Sequence, residues 1–414
     1  MHTMVLGAGV VGVTTAYFLA RSGRQVTVVD RRGDVAEETS RANAGLIAPG
    51  HSYTWASPRA PKILLKSLFV DGQALRLKLR ADPAMWAWGW RFLQNCTDER
   101  SRLNTTRKLR LCRYSQSVLQ ALTAEQGLDY QRLSRGLLYL YRDEASFARG
   151  RANMAVLADG GMPLEILDAQ AVAAREPALA EAARRIAGAI YCPSDESGDA
   201  RLYTRALAAK CRELGVAFEF GRDIAALEAE ADRIAGVRTD RGTLAADDYV
   251  LALGSHSPRL ARPLGYRLPV YPVKGYSVTF PAGPDHRPPD VGGVDENNLV
   301  AWARFGDRLR FTATAEICGY DTGHRPDDFA HMLQAGRELF PDGADYAQPS
   351  YWAGLRPMTP EGLPILGRSR HRNLYLNTGH GHMGWTMACG TAQIVADLMA
   401  GRPPQHDLTG MTLQ

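Results

Sequence analysis

Thr3-Met4-Val5-Leu6-Gly7-Ala8-Gly9-Val10-Val11-Gly12-Val13-Thr14-Thr15-Ala16-Tyr17-Phe18-Leu19-Ala20, followed after Gly23 by Gln25-Val26-Thr27-Val28-Val29-Asp30, is the stretch that decides the fold. Thr3–Leu6 is a short apolar run that stops at a glycine turn. Val13, Ala16, Tyr17, Leu19 and Ala20 then recur at helical spacing until Gly23, and Val26–Val29 reads as a second buried strand closed by Asp30. Strand, glycine turn, helix, strand and acid in this order are the dinucleotide-binding unit. Gly7 permits the tight turn, Gly9 lets backbone approach a pyrophosphate, and Gly12 allows helix and strand to pack closely. Ala8, Val10 and Val11 fill the turn and the first helical positions, where free N–H groups and a partial positive charge face the phosphates. Asp30 is expected to accept hydrogen bonds from a ribose. Arg31 follows it, but the acid at the strand end favours a ribose without a 2′-phosphate.

The rest of the composition narrows the class. The 414 residues are 45% hydrophobic, 22% charged and 8% aromatic, which excludes disorder, collagen and coiled coil. At about 100–200 residues per domain the length suits two or three compact units. Of 49 lysines and arginines only six are lysine, and the net charge of +5 is spread without a polybasic block. This favours an anionic small molecule or a membrane surface over nucleic acid. The six cysteines form no C-x-x-C pair, no secretory pattern opens the chain, and no run of about 18 apolar residues is present. The expected setting is a reducing cytoplasm, with contact at the inner face of the membrane as the variant of it.

Two further blocks fix the kind of dinucleotide. After Asp30 the βα alternation breaks at Glu38-Thr-Ser40-Arg-Ala-Asn43-Ala44-Gly45, small, polar and glycine-ended. Downstream, Val216–Phe220, Ile224–Ala231, Arg233–Thr239 and Thr243–Leu253 alternate as short strands, ending in Ala252-Leu253-Gly254. A three-stranded meander leading into an apolar strand is the second dinucleotide signature of two-domain flavoproteins. The third block runs Gly354-Leu-Arg356-Pro-Met-Thr-Pro360, then Asn377-Thr-Gly379-His380-Gly381-His382-Met383-Gly384-Trp385-Thr386 and an apolar helix ended by Gly401. Its helix amino terminus suits the pyrimidine edge of a reduced flavin, where negative charge collects.

Together with Pro272-Val-Lys-Gly-Tyr276, these blocks resemble, in order and over nearly the whole chain, the bacterial D-amino acid dehydrogenases of small-subunit type, within the D-amino acid oxidase-like flavoproteins. The resemblance implies an α/β Rossmann-like FAD domain and a discontinuous α+β substrate domain built on a mixed sheet. It implies oxidation of D-amino acids to 2-oxo acids, with electrons passed to a quinone or dye. Relatives with covalent flavin use a His after the first βαβ unit or a Cys near the carboxy terminus. Here Arg41-Ala42-Asn43 occupies the former place and Cys389 falls inside the last helix, so FAD is expected to be non-covalent. Its expected contacts are Gly7–Gly12, Asp30, Arg31, Ser40, Asn43–Leu46, Asp223, Ile224, Ala252–Gly254, Gly354, Arg356 and Gly379–Thr386.

An amino acid must be held by its carboxylate, for which a planar, bidentate arginine is suited. Arg356 lies at the position of the family's carboxylate-binding arginine, with Tyr276 either a second carboxylate or gate contact or a core tyrosine. His51 and Tyr53, in Pro49-Gly-His-Ser-Tyr-Thr-Trp55, are expected at the cleft mouth, contacting the substrate amine or forming a lid. This loop departs from alanine-type enzymes, which keeps cyclic D-imino acids such as D-proline or D-hydroxyproline open as substrates in place of an ordinary D-amino acid. An oxygen-using oxidase and a non-catalytic flavin subunit also fit the same motifs. Neither a metal nor a Ser/His/Asp triad is called for, and His380-Gly-His382 reads as a tight turn. Asp199 reads as a helix cap. Lys62–Leu93, with Trp86, Trp88 and Trp90, is either an interfacial segment or ordinary helix packing. The expected domains are 1–56, 186–265 and 352–414 for FAD, and 57–185 and 266–351 for the substrate.

Overall fold

The computed structural model describes residues 1–67 and 75–413. His2–Leu6 pairs in parallel with Gln25–Asp30 on one side and Asp248–Leu251 on the other. Leu374–Thr378 extends the sheet beyond Asp248–Leu251, Ala217–Phe220 extends it beyond Gln25–Asp30, and Ile365–Arg368 closes it as an antiparallel edge, giving six strands. Side chains alternate across it as the two-residue period requires. Val5, Val28 and Val250 face a core shared with the first helix (Val10–Arg21), the last helix (Gly384–Met399) and the Ala200–Glu213 helix. Met4, Leu6, Val29, Tyr249 and Leu251 face the opposite core, under the meander.

The meander is three-stranded, Ile224–Glu230, Arg233–Thr239 and Gly242–Leu244. The single strand expected over Thr243–Leu253 is two: the chain leaves the meander after Leu244 and re-enters the six-stranded sheet at Asp248. Asp248 there receives the Arg24 guanidinium at 2.6 Å.

The second layer is a nine-stranded mixed sheet. It contains Leu137–Tyr141, Tyr271–Pro281, Val300–Phe305 and Arg308–Ile317. Two of its strands lie across the expected boundaries. Gly188–Cys192 pairs antiparallel with Leu137–Tyr141, and Ser350–Met358 pairs antiparallel along Tyr271–Thr279. Gly188–Cys192, and all but the first two residues of Ser350–Met358, fall in stretches assigned by sequence to the FAD domain. Their apolar runs read equally well in either sheet, and only the partner strand decides.

Asp199 caps the Ala200–Glu213 helix, accepting from the Arg201 and Leu202 N–H groups. Between residues 62 and 93 the described part comprises two helices, Ala60–Lys66 and Pro83–Gln94, and the short strand Leu75–Leu77, which pairs in parallel with Ala315–Ile317 of the large sheet; residues 68–74 of the expected interfacial segment lie outside the description. On the second helix Met85, Trp88 and Phe92 form the inward stripe, while Trp86 and Trp90, four residues apart, face outward at 56% and 65% exposure. The three tryptophans therefore split between both readings of this segment. No helix among the described residues is long and apolar enough to cross a membrane.

Candidate active site

A cavity of about 1270 Å³ is lined by residues from all three sequence blocks and from the large sheet. At one end lies the glycine turn. Gly7 has φ +110°, and a Cβ there would meet the Ala252 carbonyl oxygen at 2.7 Å; a Cβ on Gly12 would sit 1.8 Å from the Gly7 carbonyl oxygen. Turn, helix and strand touch only because these side chains are missing. Gly9 differs, since a Cβ there would meet nothing nearer than Ser40 Oγ at 3.4 Å, and the residue opens onto the cavity. That is room for a phosphate to approach backbone. The Val10 N–H donates to Ser40 Oγ at 3.0 Å, and Val11 follows on the cavity wall in the first helical turn, where N–H groups have no helical acceptor.

Asp30 also lines the cavity. Its carboxylate accepts from the Ala8 N–H at 2.7 Å and the Arg32 N–H at 2.8 Å, which pins the turn to the strand end, and burial raises its pKa above the ordinary value. Each carboxylate oxygen keeps a second acceptor position for a ribose hydroxyl. Arg31 lies against Glu38 and His256 at this end, with Asp223, Ile224, Ala252, Leu253 and Gly254 beside it. Burial lowers the pKa of His256 to about 4, so the ring stays neutral.

Farther along, Asn43, Ala44, Gly45 and Leu46 form one wall and His380 through Trp385 another. Asn43 Oδ1 accepts from the Gly45 N–H at 3.0 Å, and Gly45 (φ +72°) passes so close to Phe305 that a Cβ would overlap its ring. The last helix starts at Gly384 with no side-chain cap and no acidic residue in its first turn. Its amino terminus therefore presents unneutralised positive potential to the cavity. Of the other expected contacts, Ala8, Gly12, Gly379 and Thr386 are not on the cavity wall. Thr386 Oγ1 instead accepts from the Ala48 N–H at 3.2 Å. Cys389 is buried inside the helix, 3.0 Å from the Tyr203 hydroxyl.

At the far end Arg356, on the Ser350–Met358 strand opposite Val273, lays its guanidinium across Gly275, where a Cβ would meet it at 2.4 Å. Gly354 beside it likewise leaves room for the Trp352 ring. Arg356 Nη1 donates to the Thr314 carbonyl at 2.8 Å, and no carboxylate pairs with the side chain among the described residues. Burial lowers its pKa to about 10, still well above neutrality, and its accessible part faces the cavity. Tyr276 lines the same wall, but its hydroxyl is committed to Glu316 Oε2 at 2.5 Å, and Glu316 also meets Lys78 at 2.6 Å and Lys274 at 3.6 Å.

His51 and Tyr53 converge on one oxygen. His51 Nε2 and the Tyr53 hydroxyl each lie 3.0 Å from Glu296 Oε1, and all three residues line the cavity. With the carboxylate accepting from both, the lone pair of His51 Nδ1 is left to take a proton. From behind, Tyr139 stacks on the His51 ring at 5.3 Å and donates to Asp195 at 2.6 Å, while Asp195 also accepts from the Gly50 N–H at 3.0 Å. Burial lifts the Asp195 pKa to about 7. Sequence reasoning missed Glu296, Asp195, Tyr139 and His256. They meet His51, Gly50, Asp195 and Arg31 across 245, 145, 56 and 225 residues respectively, beyond any local pattern.

A profile of the FAD dependent oxidoreductase family matches residues 2–398. D-amino acid dehydrogenase 2 of Mesorhizobium japonicum is 44% identical over 412 residues, 99% of each chain. D-amino acid dehydrogenase of Paramagnetospirillum magneticum is 47% identical over 413 residues, 99% of this chain and 98% of its own. Among solved structures, glycine oxidase from Geobacillus kaustophilus aligns with a TM-score of 0.79 at 23% identity, covering 100% of this chain and 98% of its own. L-proline dehydrogenase from P. horikoshii aligns at 0.73 and 18% identity, covering 97% and 94%. At those identities the two structures speak for the fold alone.

Proposed function

Since the chain belongs to the family of FAD-dependent oxidoreductases, we propose that it is a D-amino acid dehydrogenase holding its FAD without a covalent bond. The observation that carries this reading is Arg356, a guanidinium without a carboxylate partner among the described residues, in the same cavity as the glycine cradle. The names of the two relatives matched along their full length support the D-amino acid.

FAD, when bound, supplies the two-electron acceptor for the α-hydrogen. Arg356 holds the substrate carboxylate through its unspent N–H donors and so fixes which face of the α-carbon is presented. His51 accepts the ammonium proton at Nδ1, and Glu296 stabilises the resulting imidazolium across the 3.0 Å contact at Nε2. Tyr139 and Asp195 keep the ring in place. The uncapped helix terminus at Gly384 offsets negative charge gained on reduction. Water then adds to the imine, releasing ammonia and the 2-oxo acid.

The test is anaerobic mixing of the purified yellow protein with D- and L-amino acids and D-proline, followed by turnover with a dye and with oxygen alone. Bleaching by D-amino acids and turnover with dye are expected. No bleaching by any D-amino acid overturns the enzyme, bleaching by D-proline alone replaces the substrate class, and equal turnover in oxygen replaces the acceptor.

The acceptor we assign is a membrane quinone, reached by peripheral contact. Ile63, Leu64, Trp88 and Phe92 line the cavity, while the same two helices expose Leu65, Trp86 and Trp90 alongside Lys62, Lys66 and Arg91. Amphipathic tryptophans among cations suit an anionic lipid surface. The protein is expected to float with phosphatidylglycerol vesicles, and the Trp86→Ser/Trp90→Ser variant to stay behind. Equal flotation of both proteins discards this surface.

A further inference from the structure

Lys108 is a lysine that neither the fold nor the proposed chemistry accounts for. It lies on the long Asp98–Gln126 helix, is 1% exposed, and forms no ion pair among the described residues. Its ammonium has two long contacts, 3.4 Å to the Tyr53 carbonyl oxygen and 3.5 Å to His382 Nε2. A buried ammonium ordinarily requires a counter-charge. Burial lowers its pKa to about 8, leaving the cation as the main form at neutrality.

His382 connects this charge to the cavity. It lines the wall, stacks on Trp55 at 4.9 Å, and feels the charges of Lys108, His51 and Arg356 together. Burial and those neighbours hold its pKa well below the ordinary value, so the ring is neutral. Lysine can only donate, so His382 Nε2 must accept from it and the ring proton resides on Nδ1. The imidazole is thereby a polarised N–H donor backed by a buried positive charge.

With the exposed Arg59, Asp98 and Arg102 left to solvent, the buried charges at this end of the cavity leave one cation over. Arg356 is matched by the substrate's α-carboxylate. The substrate ammonium is matched by Glu296, which His51 and Tyr53 also approach. Asp195 makes no ion pair with Lys108 among the described residues; its carboxylate is committed to the Tyr139 hydroxyl and the Gly50 N–H, and burial raises its pKa to about 7, so it carries only part of a negative charge at neutrality. Lys108 remains. We propose that His382, on the cavity wall and backed by the buried Lys108 ammonium, forms a second anion subsite, and that the preferred substrates are D-amino acids with a carboxylate on the side chain, such as D-aspartate or D-glutamate. This rests on the dehydrogenase reading above and deepens it.

The experiment compares kcat/KM for D-glutamate with D-glutamine, and for D-aspartate with D-asparagine, using the holoenzyme and a dye. The acid of each pair is expected to exceed its near-isosteric amide by about 10- to 100-fold, the worth of one hydrogen-bonded charge. In Lys108→Met that ratio is expected to collapse towards one. If Lys108→Met does not fold, His382→Leu tests the same ratio, and the wild-type ratio decides without any variant. A second arm titrates glutarate against butyrate and reads the flavin absorption spectrum, which requires no turnover. Tighter binding of glutarate supports the subsite. Equal rates for acids and amides in the wild-type enzyme overturn the proposal while leaving the dehydrogenase intact. A uniform loss with every substrate in Lys108→Met overturns it as well, because the charge then serves the cofactor. Absence of any D-amino acid turnover is the separate failure of the dehydrogenase reading, and the glutarate titration still reports on the subsite.

Discussion

Arg356→Ala is expected to lower kcat/KM for every D-amino acid by about 10²- to 10³-fold, the loss of two charge-assisted hydrogen bonds to a carboxylate. Flavin content should stay at the wild-type level. The effect should fall mainly on KM, because the carboxylate is held alike in the ground and transition states. The surroundings of the guanidinium give the reason. Its Nη1 is anchored on the Thr314 carbonyl at 2.8 Å, its flank lies over the bare backbone of Gly275, and none of its ion-pairing potential is spent inside the protein among the described residues. Arg356→Lys keeps the charge and loses the planar fork, so it should recover only part of the loss. Gly275→Ala should raise KM while Arg356 is still present, because the new methyl would lie 2.4 Å from the present guanidinium position and displace the clamp. Steady-state kinetics with a dye measures all three. An unchanged KM in Arg356→Ala would place the carboxylate elsewhere in the cavity.

The proposed clamp and the proposed nucleotide cradle were legible for different reasons. Gly7, Gly9, Gly12 and Asp30 lie within 24 consecutive residues, where the spacing of glycines and the change of hydrophobic period encode the local geometry directly. Arg356 was legible only through resemblance, since one arginine among so many carries no pattern of its own. Glu296 and Lys108 were illegible for a topological reason. Glu296 comes from the turn after Gly292–Asp295, and Lys108 from the middle of a 29-residue helix that reads as an ordinary solvated one. They reach His51 and His382 across 245 and 274 residues. The same reason explains the strands that crossed the expected boundaries. Gly188–Cys192 is uniformly buried and apolar, so its sequence specifies burial and leaves open which sheet receives it. Tyr276 reads both ways by sequence, because whether a buried phenol faces a ligand or a partner such as Glu316 depends on the strand opposite it.

Gly12→Ala should be the most damaging single methyl in the nucleotide half. The added Cβ would lie 1.8 Å from the Gly7 carbonyl oxygen and 2.9 Å from its carbonyl carbon, and both are backbone atoms that no rotamer change can move. Relief requires the first helix to back away from the strand end, at an overpacking cost of about 1–3 kcal/mol or more. That movement also carries Val10 and Val11 away from the phosphate end of the cavity and strains the Val10 N–H bond to Ser40. Stability and FAD affinity should therefore fall together, and added FAD should restore part of the stability by mass action. Gly33→Ala is the control, because a Cβ there meets nothing within 4 Å and its φ lies outside the left-handed region. Flavin absorbance per protein and thermal melts with and without added FAD measure the outcome. Gly12→Ala should purify largely colourless with a lower melting temperature, and Gly33→Ala should match the wild type. A yellow Gly12→Ala protein of wild-type stability would mean that the helix and the turn are not in the contact that makes this cradle.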